Sequence, residues 1–154
     1  LDYLTNSPRA FSFSTKEKSV MLFKLVYNDS VITTHHWEWD SYKMKGQTGE
    51  RRLKEYLYNT PLLFHLDAAT WKERKQDIVQ NMKTWQLFQQ AALKQQMTNF
   101  EVLTSDRLVQ KTTFGENLSV TANFGSQTYE GIKPHTAVIL QDGKETVIEI
   151  NELD

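Results

Sequence analysis

Residues 28–43 hold the densest set of side chains able to do chemistry. Asn28 and Asp29 are followed by His35, His36, Trp37, Glu38, Trp39, Asp40, Tyr42 and Lys43. Indole rings present flat apolar faces that stack on the C–H face of a sugar, while Asp, Asn, His and Lys hydrogen-bond its hydroxyls. Carboxylates beside such rings are the groups a glycosidase uses as acid, base or nucleophile. A blander role also fits, in which Trp37 and Trp39 pin a long loop and the charges face water. Connections of this length are usually functional or disordered. The His35-His36 pair does not make a zinc site, because adjacent side chains diverge and neither HExxH spacing nor a Cys partner is present. His65 fits either a ligand contact or a strand-end histidine, and Asp67 is accounted for as a helix cap. The chain has neither a Gly-rich phosphate loop nor a GxSxG elbow, and the expectation is of no metal and no cofactor.

Positioning these residues falls to the elements around them. Residues 1–18 read as an irregular lead-in, with Pro8 and a polar run from Ser12 to Lys18. The nearly continuous apolar run over 19–27 predicts a strand buried on both faces. Residues 50–58 predict a helix: Leu53, Tyr56 and Leu57 fall on one face, and Glu50 can pair with Lys54. Pro61 stops it, and Pro61–Leu66 predicts a second buried strand. Asp67 then caps a helix running to about Met97, with Leu66 stapled on Trp71 and with Trp71, Ile78, Met82, Trp85 and Phe88 near one face. From Phe100 the period becomes two. Leu118, Val120, Ala122 and Phe124 alternate with polar residues, 109–114 supplies a partner strand, and Asp142-Gly143 between apolar runs signals a hairpin.

Strand, loop, helix, strand, helix is a βαβα unit whose two strands should be parallel. Two such strands need neighbours that this chain does not supply. The expected fold class is therefore α/β followed by all-β. Residues 19–98 form the C-terminal βαβα part of a (β/α)8 barrel, and residues 99–154 an antiparallel β-sandwich. On a barrel, the loops after the strands would put residues 28–45 and 65–67 on the functional face. A small α+β domain, with both apolar runs packed on the later strands, is the competing reading.

Composition sets the outer limits. The chain has 154 residues, 12% of them aromatic, no Cys, and a formal net charge of −1. That length can bury about two thirds of the unfolded chain's surface, enough for a core. The charge disfavours a nucleic-acid or anionic-membrane partner. The lack of Cys excludes a disulfide scaffold and a thiolate zinc site. No apolar run approaches the ~20 residues of a membrane span, and no signal peptide is seen. The first residue is Leu1, so the chain is expected to be a processed product or a piece of a longer protein.

Taken together, several stretches carry a family resemblance. They are residues 22–34 (Leu-Phe-Lys-Leu-Val-Tyr-Asn-Asp-Ser-Val-Ile-Thr-Thr), 37–43 (Trp-Glu-Trp-Asp-Ser-Tyr-Lys), 57–66 (Leu-Tyr-Asn-Thr-Pro-Leu-Leu-Phe-His-Leu) and 71–75. They resemble the end of the catalytic barrel in glycoside hydrolase family 101 and related bacterial glycosidases. Residues 103–115 and 120–125 look like the first strands of the sandwich that follows it. The resemblance implies an endo-α-N-acetylgalactosaminidase-like retaining enzyme, a bacterial hydrolase at the cell surface or outside the cell, acting on sugar O-linked to Ser or Thr of glycoproteins. It implies that nucleophile and acid/base carboxylates lie on earlier barrel strands, in a missing N-terminal part of the same enzyme. No catalytic residue is assigned within this chain, which alone should be inactive. Asp29, His35, Trp37, Trp39, Asp40 and Lys43 are the expected substrate-binding residues. Asn28 stands where the pattern has His, which separates position 28 from that set. A non-catalytic carbohydrate-binding module and a protein-interaction domain are the alternative readings.

Overall fold

The computed structural model describes residues 22–33 and 48–150. Among the described residues, three helices precede five strands: α1 (Leu22–Tyr27), α2 (Thr48–Leu57), α3 (Ala68–Ala92), β1 (Met97–Val102), β2 (Val109–Phe114), β3 (Leu118–Asn123), β4 (Thr136–Gln141) and β5 (Lys144–Glu149). Helical part and antiparallel sheet share one core. Leu53, Tyr56 and Leu57 of α2 and Trp85, Phe88 and Ala92 of α3 join Met97, Phe114, Leu118, Val120, Ala122, Ala137 and Ile139 of the sheet. Phe88 links the two sides, with Tyr56 on its helical side at 5.6 Å and Phe114 edge-on at 5.9 Å between centroids.

The sheet is antiparallel throughout, in the order β1-β2-β3-β4-β5. Asp142 (φ 49°) and Gly143 (φ 79°) close the β4–β5 hairpin between paired Gln141 and Lys144, as the Asp-Gly signal requires. One face of β2 and β3 packs on the helices, and the alternation read over 118–124 marks it correctly.

Helix α2 forms as its sequence dictates. Leu53, Tyr56 and Leu57 are buried, and Glu50 pairs with Lys54 at 3.0 Å. Its end is a Schellman closure. Asn59 takes the left-handed conformation (φ 48°), the Thr60 N–H donates to the Glu55 carbonyl at 3.0 Å, and the Asn59 N–H donates to the Tyr56 carbonyl at 3.3 Å. Polar residues on the inner face of β2 complete the join. Thr112 donates to the Leu57 carbonyl at 2.8 Å, and Tyr58 donates to Gln110 at 3.2 Å. Arg52 reaches Asp77 of α3 at 2.6 Å.

Several expectations are corrected. Residues 22–27 form a helix, not a strand. A strand here would need a neighbour for its ladder groups, whereas a helix satisfies its own, as in the Asn28 N–H bond to the Lys24 carbonyl at 3.0 Å. Pro61–Leu66 is an irregular, mostly half-buried connector. Pro61 offers no N–H, and no strand pairs with the segment. Helix α3 begins as expected, with Asp67 accepting from the Thr70 N–H at 2.7 Å, but ends at Ala92 instead of near Met97. Met97 is instead the buried first residue of β1. Trp71 and Met82, expected in the core, are exposed, as is Leu66. The packed face of α3 starts only at Ile78, so its first two turns extend past the core, and Lys75 covers the Trp71 ring at 5.6 Å. The lead-in over 1–18 lies outside the described residues.

Candidate functional site

Of the six side chains expected to meet substrate, Asp29 is described. It is exposed in the turn after α1 and accepts from the Ser30 hydroxyl at 2.8 Å. His35, Trp37, Trp39, Asp40 and Lys43 lie outside the described residues. Asp29 thus marks the start of the aromatic stretch, two residues beyond the helix that positions it.

Asn28, next to Asp29, has a different role. Its side chain is buried and points into the fold. Its Nδ2 donates to the Gln95 carbonyl at 2.7 Å and the Ala92 carbonyl at 3.4 Å, and its Oδ1 accepts from Asn59 Nδ2 at 3.2 Å. The side chain therefore closes the C-terminal carbonyls of α3 and ties them to the end of α2. One turn earlier, Lys24 is 1% exposed and donates from Nζ to the Asn59 carbonyl at 3.1 Å. Lys24, Asn28, Asn59 and Gln95 make a buried polar joint that aims the chain leaving α1, and with it Asp29, out of the fold. Sequence reasoning missed this joint. The one available signal was Lys24, a lone charge inside an otherwise apolar run.

The described carboxylates with displaced titrations are all structural. The Thr70 N–H holds Asp67 below the usual carboxylate value, and the Thr104 hydroxyl, with the Leu108 N–H, does the same for Asp106. A glycosidic general acid needs the opposite, a carboxyl whose proton is retained near neutral pH. Glu55 is fully buried beside Arg51 at 3.7 Å, out of reach of substrate. Among the described residues, no group of three or more His, Asp or Glu side chains could hold a metal ion, and no helix is long and apolar enough to cross a membrane. The face of the sheet turned away from the helices is open and concave, about 760 Å³. It is lined by Lys111, Thr121, Val138 and Val147 and walled by Tyr129 and Ile132.

Comparison with known proteins supplies the family. No curated protein sequence matches significantly. The family described as glycosyl hydrolases related to GH101 family, GH129, matches residues 4–113, well over half of the chain. Among solved structures, the α-N-acetylgalactosaminidase NagBb from Bifidobacterium bifidum, in its GalNAc complex, shares the fold at a TM-score of 0.53 and 20% identity. That match covers 86% of this chain and 21% of NagBb, so the chain spans about a fifth of that enzyme's length. The family match extends from the lead-in to β2, and the chain belongs to the GH129 family of glycosyl hydrolases, related to GH101.

Proposed function

We propose that this chain is part of a retaining glycoside hydrolase that removes α-linked N-acetylgalactosamine-type sugar from Ser or Thr of glycoproteins. The observation that carries this reading is the family match across residues 4–113, which includes the whole aromatic stretch. NagBb, whose structure holds GalNAc, supports the choice of sugar.

In the complete enzyme the helical part is the C-terminal end of a (β/α)8 catalytic barrel. The five-stranded sheet is one layer of a β-sandwich, whose second layer would cover the open face carrying Val138, Leu140 and Val147. Six side chains between Asp29 and Lys43 supply the substrate contacts. Trp37 and Trp39 stack on the sugar, and Asp29, His35, Asp40 and Lys43 hydrogen-bond its hydroxyls. The nucleophile and the acid/base carboxylate, about 5 Å apart in a retaining enzyme, come from earlier strands of the barrel. O-glycoprotein substrates lie outside the bacterial cell, which puts the enzyme at the surface or in the medium.

The test is hydrolysis of p-nitrophenyl α-N-acetylgalactosaminide by the complete enzyme and by the 154-residue chain. The complete enzyme is expected to release the sugar and the chain alone to be inactive. Trp37→Ala and Trp39→Ala in the complete enzyme each raise KM up to roughly tenfold, the equivalent of one lost stacking contact. Turnover by the isolated chain at enzyme-like rates, or none by the complete enzyme, refutes the reading.

A further inference from the structure

Helix α1 is amphipathic the wrong way round. Its inward face carries Lys24 and Asn28, at 1% and 3% exposure, with Leu25 half-buried against the core. Its outward face carries Leu22 and Val26, at 62% and 57%, with Tyr27 exposed beside them. Val31 and Ile32, just past the turn, are exposed as well. Five large apolar side chains therefore face outward within eleven residues, while the polar side chains of Lys24 and Asn28 are satisfied within. A surface helix normally does the reverse, and a concentration of exposed apolar groups marks a contact surface.

We infer that this face, Leu22, Val26, Tyr27, Val31 and Ile32, is where the remainder of the glycosidase seats on this chain. The inference rests on the proposed function above. Two observations name the occupant. The face lies inside the segment shared with the GH129 family, and the matched enzyme carries about four fifths of its length outside the region this chain covers. A third observation disfavours a lipid surface. Among the described residues, the exposed charge beside the face is Asp29, whereas an interfacial membrane helix rims its apolar side with Lys and Arg.

The natural absence of Cys gives a clean test. Val26→Cys and Ile32→Cys are made singly, with Ser105→Cys in the exposed β1–β2 turn as reference. Each is reacted with a maleimide, both in the 154-residue chain and in the complete enzyme. In the chain all three are expected to react at similar rates. In the complete enzyme Val26→Cys and Ile32→Cys are expected to slow at least tenfold while Ser105→Cys keeps its rate. Ile32→Cys lies outside α1 and keeps the test valid if Val26→Cys perturbs the helix. Unchanged rates in the complete enzyme overturn the inference. So does protection of the isolated chain that grows with its concentration, which assigns the face to a second copy. Protection of the complete enzyme only on adding anionic phosphatidylglycerol vesicles also overturns it. The readout is independent of turnover: protection without sugar release rejects the hydrolase reading alone, and sugar release without protection rejects this inference alone.

Discussion

Asn59 Nδ2 donates to Asn28 Oδ1 at 3.2 Å, joining the left-handed residue that ends α2 to the residue that ends α1. Both amides are buried, so each is committed to the bonds the fold provides. Asn28→Ala and Asn59→Ala are expected to cost about 1–3 kcal/mol each, because each leaves buried partners unsatisfied. The double variant should lose less than the sum, since the two share one bond. Asn59→Ala should also cost about 1 kcal/mol more than Asn59→Gly, because only the latter accepts φ 48° without strain. Urea unfolding of the four variants checks all three statements.

Tyr56 predicts an alkaline limit. Burial, with the adjacent Glu55 charge adding to it, pushes its phenol well above the ordinary 10.0. The folded chain keeps the proton that the unfolded chain gives up near pH 10.0, so folding is favoured in full below that pH and loses ground as pH rises above it. Tyr56→Phe removes this dependence. Stability measured against pH should fall less steeply above 10.0 in Tyr56→Phe than in the natural chain.

The acid limb falls partly to Asp67. Its titration is depressed by the Thr70 N–H, so the capping contribution is complete above the ordinary 3.8 and disappears as pH falls through the lower folded value. Asp67→Asn keeps a capping oxygen without the titration. Between about pH 5 and about pH 2 the natural chain should lose helix signal that Asp67→Asn retains, followed by far-UV circular dichroism. Identical acid profiles would show that Asp67 contributes nothing.

Burial separates two large apolar residues, Phe114 and Leu87. Phe114 is fully enclosed between α3 and the sheet, and Phe114→Ala should cost about 3–5 kcal/mol. Leu87, on the outer side of α3, is 70% exposed, and Leu87→Ala should shift stability by no more than about 0.5 kcal/mol. Thermal unfolding of the pair distinguishes them.

What could be read in advance was what local chemistry decides. Glu50, Leu53, Lys54, Tyr56 and Leu57 announce α2, Asp67 announces the start of α3, and Asp142-Gly143 announces the last hairpin, because each signal acts within a few residues. Residues 22–27 and 61–66 depart from the expected strands, since apolar composition without a period does not distinguish a strand from a helix or a packed connector. Trp71 has the right spacing for the core, but spacing does not tell where along α3 packing begins. The joint of Lys24, Asn28, Asn59 and Gln95 spans three separate segments, and beyond the lone charge of Lys24 no local pattern announces it. Asp29 is proposed from its residue type alone, and the structure adds only that it lies exposed in the turn after α1.

The strand order of the sheet carries a kinetic consequence. Each strand pairs with its immediate neighbour in sequence, so the sheet can zip through short loop closures. The contacts that bind the helices to the sheet and to one another are distant, 55 residues apart for Thr112 with Leu57 and 64 for Asn28 with Ala92. Residues 97–149 should therefore fold as an early unit, and the seating of α1 and α2 should limit the rate. A change at Thr112 would then slow folding only if helix docking is already under way in the transition state, which makes that hydroxyl a clock for the late step.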